Sequence, residues 1–518
     1  MTKNFFCTKR KIHYSPNDKF VNNNFNLIQE ITEKFIFNTK TETSNKEINA
    51  NELVLIYDKG LNIYNLVELC KAQINDDSYI FGLDKEDILR NIKINQFIEY
   101  PNSISYNITC KHGTLSLSEH DSLLTVDNNL NIIKIPINKI KEGVPILIPR
   151  QINVIENDSP LDFSNCGEII IENGIEYVKK DFTKAYRYVG KTYELGFILG
   201  QYCAEGSMKK ITITCGNNRS EMEKVRDLIL INFGLKPYIG IVNKEGYDTV
   251  YEVCSNTNLA RIIFTKGLRL IPEMAPYKEI PSFLYNAPTE CVKGFLAGFT
   301  EGDGSIGEYI RDRDFQSSPS RDVLYRLHSS SKKLIFGLNF LLKRFGVEAE
   351  FKTREFDNIK HPTWHNSYTL IINGRGNIEK LREFIPDLPE YGKFARDKEM
   401  EINLNPWMKK INEEMKRIYN LSLRMLVERK KIPFIAAKCS QEQYKKNISG
   451  NKLLKTLKYL IQNDYKTPTI KKLWKIFSKF TFTRVKEVEI NYKQNKAFKL
   501  IDSYHGIYIA GTGQIFIN

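Results

Sequence analysis

Residues 293–309, KGFLAGFTEGDGSIGEY, read as an apolar helix that carries glycine at 294, 298 and 302 and runs into an aspartate, Asp303. Each glycine inside a helix costs about 1 kcal/mol relative to alanine, so three at a four-residue step need a reason. Residues at i, i+4 and i+8 share one helix face. Stripped of side chains, that face lets a second backbone approach more closely than leucine or phenylalanine would permit. A matching face lies upstream. YELGFILGQYCAEGSMKK carries Gly196, Gly200 and Ala204 at the same step, followed by Glu205, and the offset of 98 holds from Gly196 to Gly294, from Gly200 to Gly298 and from Glu205 to Asp303. Each copy is followed by a polar segment and an apolar helix ending in Phe-Gly-aliphatic, at Gly234 and Gly346. The larger offset of these second markers, 112, is taken up by the polar loop GEYIRDRDFQSSPSRDVLY. The chain contains a duplicated unit.

Packing the two helices on each other brings Glu205 and Asp303 side by side where the interface ends, and Gly206 and Gly304 are expected to turn the chain away there. Neighbouring carboxylates repel unless a cation lies between them, and hard oxygen ligands select Mg²⁺ or a similar ion. Paired acids of this kind suit metal-assisted phosphodiester hydrolysis. The formal charge of +15 and the 27 tyrosines and 30 phenylalanines point to a nucleic-acid partner. The nine cysteines are scattered, with neither a CxxC pair nor zinc spacing. No apolar run reaches the roughly eighteen residues of a membrane span. A soluble, intracellular protein without a secretory leader is expected.

LAGFTEGDG (296–304) resembles the LAGLIDADG signature of homing endonucleases, and FILGQYCAEG (197–206) resembles a more divergent first copy, with Gln201, Tyr202 and Cys203 in the usually aliphatic span. The resemblance implies two pseudo-symmetric α/β halves, each offering a saddle-like sheet to the DNA major groove. By it, Glu205 and Asp303 are the catalytic and metal-binding acids for two or three Mg²⁺ ions, and the chain acts as a monomer on double-stranded DNA with a long specific site. The family places a basic residue near the metals; the position aligned with it here is Ser330, with Lys332 and Lys333 close by as candidate auxiliary bases.

The flanks resemble a different family. GTLSLSEHDSLLTVDNNLNIIKIPINKIKEGVPILIPRQI (113–152) is similar to the histidine-containing block of the intein Hint fold, with His120 at the block histidine, and KLIDSYHGIYIAGTGQIFIN resembles the closing intein blocks, ending on Asn518. Splicing needs a Cys, Ser or Thr at the first intein residue to receive the acyl group. Aligning EINANELVLIYDKG with intein starts places Glu47 there, Leu117 at the block threonine and Ile517 at the penultimate histidine, and no residue follows Asn518 as a downstream nucleophile. These departures point to lost splicing and to His120 as a satisfied core histidine.

The fold expected is α+β: a duplicated LAGLIDADG domain (189–395) inserted in an all-β Hint-like domain (47–188 and 480–518), with a helical basic segment (396–479) and an N-terminal extension (1–46). The basic segment is either a set of helices along DNA phosphates or a solvated insert. The function expected is a metal-dependent, site-specific DNA endonuclease of intein origin. The alternatives are a cleavage-dead DNA-binding relic, an RNA maturase and a still-splicing intein.

Overall fold

In the computed structural model the described residues are 48–517, apart from 50–51, 85, 120, 208–210, 244–249, 271–274, 312–319, 357–364, 386, 390–401, 442–447 and 503–506. The N-terminal extension, Glu47, His120 and Asn518 lie outside them.

An all-β unit is assembled from both ends of the chain. Strands Leu53–Asp58, Ile63–Glu68, Ser78–Leu83, Leu89–Cys110, Thr114–Ser118, Ser122–Val126, Ile132–Pro136 and Pro145–Pro149 share one sheet system with Phe480–Asp502, Tyr508–Ala510 and Ile515–Ile517. The chain leaves this unit at Pro149 and re-enters at Phe480, and these two residues are directly opposite in an antiparallel pair that continues to Pro145 and Arg484. Departure and return through neighbouring strands let 330 intervening residues, 150–479, be inserted without breaking a ladder hydrogen bond.

The insert begins with small strands at residues 161–189 that pack on the first half of the duplicated unit, where Phe163 stacks on Phe233 with ring centroids 6.3 Å apart. By packing this stretch adjoins the duplicated unit, because Val178 and Ala185 bury with Leu195 and Ile198 in one cluster.

The duplicated unit follows, with each half built in the same order. Helix α1 (Tyr193–Glu205) leads into strands β1 (Gly206–Ser207) and β2 (Thr212–Thr214), helix α2 (Arg219–Phe233), and strands β3 (Tyr238–Val242) and β4 (Val250–Cys254). Helix α3 (Thr289–Asp303) leads into β5 (Gly304–Arg311), β6 (Ser320–Ser329), helix α4 (Lys332–Arg344), β7 (Glu350–Arg354) and β8 (Ser367–Ile372). The sheets have the same order, β1-β2-β4-β3 and β5-β6-β8-β7, and are antiparallel throughout. Helices α2 and α4 start on side-chain caps, Asn218 and Ser331. The Phe-Gly-aliphatic markers end them as expected: Gly234 and Gly346 adopt φ of 67° and 63°, the left-handed conformation that glycine takes at little cost.

Among the described residues, five helices lie between Asn405 and Phe477. Glu414 accepts from Thr469 Oγ1 at 2.7 Å inside this helical unit, and three lysines tie it to loops of the β unit: Lys472 donates to Asn129 O, Lys479 donates to Glu86 O, and Lys475 lies 2.7 Å from Asp87. The second half of the duplicated unit is fixed to the β unit as well. Lys343 Nζ donates to Pro149 O at 2.8 Å, Asn339 Nδ2 donates to Thr512 O at 2.7 Å, and Arg150 lies 3.5 Å from Glu348. Burial pushes the Lys343 ammonium down to about 8.

Candidate active site

The two glycine faces meet. An added Cβ at Gly196 would lie 2.0 Å from Cys291 O, at Gly200 2.2 Å from Phe295 O, at Gly294 2.0 Å from Tyr193 O and at Gly298 2.0 Å from Phe197 O. At the end of the seam, a Cβ on Gly302 would meet Ala204 Cβ at 2.5 Å and Glu205 Cγ at 3.0 Å. Helices α1 and α3 therefore approach backbone to backbone along their length, and the last contact is made beside the two acids.

The glycines after the acids work differently from the expectation. Gly206 and Gly304 are extended, with φ of −74° and −82°, so left-handed freedom is not what they supply. Each is the first residue of a strand leaving the helix end at once, and an added Cβ would sit 2.2 Å from Tyr202 O or 2.4 Å from Thr300 O. Space, not conformation, selects glycine there.

Burial, and then the neighbouring Glu205 carboxylate, push the Asp303 carboxyl up to about 6, with Lys278 opposing the shift. Lys278 belongs to none of the sequence motifs. Its Nζ donates to Cys203 O at 3.0 Å and Ala204 O at 3.1 Å, the last carbonyls of α1 before Glu205. A cation at a helix C-terminus is favoured by the helix dipole. The second half holds this lysine from the other side: Ser331, the cap of α4, donates its hydroxyl to Lys278 O, and Lys333 lies 3.7 Å from Glu279. Lys333 thus braces the segment that carries Lys278. Lys332 acts on the buried Glu52 of the β unit, where it opposes the upward push of burial.

Gln201, a departure from the aliphatic span, is buried yet paired: its Nε2 donates to Glu221 Oε1 at 3.2 Å and Glu301 Oε2 at 3.1 Å. Lys224 lies 3.3 Å from Glu301 and sits over the Phe197 ring. This polar bridge crosses from α1 and α2 to α3, and so joins the halves beside the glycine seam.

Among the described residues no group of three or more His, Cys, Asp or Glu side chains forms a metal cluster. Two carboxylates still fit a hard divalent ion, because Mg²⁺ keeps several waters and takes one or two protein carboxylates together with substrate phosphates. The raised Asp303 carboxyl beside Glu205 is the observation that supports the fit, since a cation between the two would relieve their repulsion.

A family model described as a LAGLIDADG-like domain matches residues 290–386. The match runs through the second half, from α3 to beyond β8, and the first half repeats the same order of elements. Among curated proteins, the chain is 24% identical over 290 residues to a DNA-directed RNA polymerase subunit of Methanocaldococcus jannaschii, covering 54% of this chain and 31% of that protein. It is 22% identical over 223 residues to the DNA polymerase II large subunit of Haloquadratum walsbyi, covering 39% of this chain and 9% of that protein. The chain thus spans under a third of the length of these relatives. Among solved structures it is similar to variants of the homing endonuclease I-DmoI (17% identity, 38% of this chain and 94% of that one, TM-score 0.26) and to a transcription factor IIB mini-intein (12% identity, 20% and 69%, TM-score 0.17). No helix among the described residues is long and apolar enough to cross a membrane.

The positions aligned with the intein splicing blocks are apolar where they are described. Ile48 pairs with Leu117, and Ile517 pairs with Leu123. Leu117, Leu123 and Ile517 are fully buried in one cluster with Leu115 and Ile515.

Proposed function

We propose that the chain is a metal-dependent DNA endonuclease of intein origin that cuts both strands of a long specific duplex and no longer splices. The observation that carries the nuclease reading is the pair Glu205 and Asp303, held at one end of a backbone-tight helix seam between two matching sheets, with a LAGLIDADG-like match over the second half. Mg²⁺ bound there would activate water and neutralise the leaving oxygen. The chain's own groups do the rest. Glu205 and Asp303, as carboxylates, offer oxygens from opposite halves, one to each strand. Lys278, fixed against the α1 carbonyls, keeps an ammonium beside Asp303 that attracts a phosphate. The two sheets seat the duplex so that both scissile bonds meet the acids. Cleavage must then require a divalent ion; cutting that persists in EDTA would contradict the reading.

The helical unit favours nucleic acid on independent grounds. Residues 405–479 hold nineteen Lys and Arg against five Asp and Glu, almost the whole excess of the chain. Contacts to phosphates give affinity and salt dependence without base preference. Replacing the exposed Lys455 and Lys458 by alanine is expected to weaken binding equally for all duplexes and to reduce the slope of log K against log salt by about 1 for each phosphate no longer neutralised. An unchanged slope would mean that this unit is a solvated insert.

Intein origin is supported by the β unit closed from both ends around its insert, and by matches that cover only small shares of two functionally different polymerase subunits. Loss of splicing follows from side-chain chemistry. Leu117 and Ile517 neither donate nor accept a proton, and Glu47 has no hydroxyl or thiol to take the acyl group. Expressed with a foreign sequence fused after Asn518, the chain is expected to run as one unspliced species on a denaturing gel. Ligated flanks in a mass spectrum would revive the splicing reading, and release of the fused sequence alone would show that Asn518 still cyclises.

A further inference from the structure

The two sheets that would lie on DNA differ sharply in charge. In the second sheet, Leu327, Tyr325, Val323, Leu370, Ile372 and Phe351 are buried on the face toward the helices. Strand alternation puts their neighbours on the opposite, open face. Register fixes which residues share it: Ser305 faces Arg326, Arg326 faces Ile371, His328 faces Thr369, and Thr369 and Ser367 face Lys352 and Arg354. Arg326, Lys352 and Arg354 therefore place three cations around His328 on a face that begins at Ser305, two residues beyond Asp303. Lys352 and Arg354 are exposed, and Arg326 acts electrostatically on His328, whose imidazole burial and then Arg326 push down. Glu350, at the start of the same strand as Lys352 and Arg354, lies 3.8 Å from Lys111.

The corresponding face of the first sheet is different. Ser207 faces Thr212, Thr214 faces Glu252, Glu252 faces Gly240, and Cys254 faces Tyr238. Among the described strand residues of this sheet the one charged group is Glu252. Ser207 and Ser305 are equivalents at the offset of 98, and where Arg326 stands across from Ser305 the first sheet has Thr212, a buried hydroxyl that donates to Cys254 Sγ.

We infer that the DNA site is chemically lopsided: the half-site under the second sheet presents guanines, read by Arg326 near the cut and by Lys352 and Arg354 farther out, whereas the half-site under the first sheet does not. This rests on the endonuclease reading above. Arginine and lysine donate two hydrogen bonds to the O6 and N7 acceptors of guanine, while hydroxyls are permissive and a glutamate accepts from the cytosine amino group. Sheet geometry sets the spacing. Strand β6 lies one step of about 4.8 Å from β5, which begins one residue after Asp303, and the edge strand β7 lies three steps, about 14 Å, away from β5. At about 3.4 Å per base pair, Arg326 reads within one or two pairs of the position nearest Asp303, and Lys352 and Arg354 about four pairs out.

The test is selection of bound duplexes from a random library with Ca²⁺ as the divalent ion, followed by sequencing, for the full chain and three variants. The wild type should enrich guanine at inner and outer positions of one half only. Arg326→Ala should abolish the inner preference, with about tenfold or greater loss for the selected duplex, and Lys352→Ala with Arg354→Ala should abolish the outer one. Arg326→Gln should exchange guanine for adenine at the inner position, a gain that misfolding cannot mimic. Symmetric enrichment, or variants that lose affinity equally for every duplex, would overturn the inference while leaving DNA binding intact, because the cations would then be phosphate contacts. Absence of any enriched duplex would overturn the endonuclease reading and this inference with it.

Discussion

Asp303→Asn is expected to abolish cleavage while leaving DNA affinity nearly unchanged, and, without divalent ion, to make the protein more stable above pH 6. The amide keeps the shape of the side chain but loses most metal affinity. A bound ion is worth several kcal/mol in such reactions, so a fall of about a thousandfold or more in rate is expected, each 1.36 kcal/mol being tenfold. The stability effect follows from linkage. In the fold the Asp303 carboxyl is raised from 3.8 to about 6, so between these values the native state binds more protons than the unfolded chain and stability falls as pH rises. The cost of the charge is absent below the unfolded value and complete above about 6, where the neutral amide escapes it. Melting curves from pH 3 to 8 should therefore show the variant gaining over wild type only on the alkaline side. Mg²⁺ should raise the melting temperature of wild type and not of the variant, because ligand that binds only the folded state stabilises it. Cleavage by wild type at limiting Mg²⁺ should decline as pH falls below about 6, since a proton then competes for the same oxygen.

Gly298→Ala has the second large effect, and here two principles predict opposite signs. Helix propensity favours alanine by about 1 kcal/mol. The new methyl would lie 2.0 Å from Phe197 O, against backbone of the partner helix that cannot rotate away. Overpacking a fitted interface costs about 1–3 kcal/mol, sometimes more, and contact with a main chain puts this site at the upper end. A net loss of about 2 kcal/mol or more is expected in urea unfolding, together with lower activity, because parting α1 from α3 also parts Glu205 from Asp303. Gly337→Ala in α4 is the control: the atoms nearest its methyl would be those of the Ile280 side chain, from 2.9 Å, rather than backbone. Equal effects at the two glycines would mean that the seam has no special role.

The features legible in the sequence are those set by local chemistry repeated at a fixed spacing. Small residues every fourth position leave little to do except pack against a like face, and the offset of 98 is enough to identify the partner helix. Left-handed glycines at 234 and 346 are legible because a helix that ends in Phe-Gly has few other ways to stop. Lys278 is hidden because its role is tertiary: a lysine in the loop APYKEIPSF looks like any solvated charge until α1 presents its last carbonyls to it. Its one sequence signal is its place between the two acid motifs, and that does not distinguish it from neighbouring lysines. Gly206 and Gly304 suggest the wrong property, since a C-terminal glycine usually signals a left-handed turn and only the folded chain brings a carbonyl to within 2.2 Å of the missing Cβ of Gly206. The first sheet is not legible because strands of two and three residues, Gly206–Ser207 and Thr212–Thr214, are too short to show alternation.

The most direct measurement is to incubate the purified chain with a random duplex library in Mg²⁺ and sequence every end released, beside the same reaction in EDTA and with Asp303→Asn. Paired ends of both strands at one recurring sequence, present only for the wild type in Mg²⁺, are the predicted result. Recurring ends that survive in EDTA or with the variant would contradict the assignment of the paired acids, and a library left uncut by the wild type would contradict the nuclease itself.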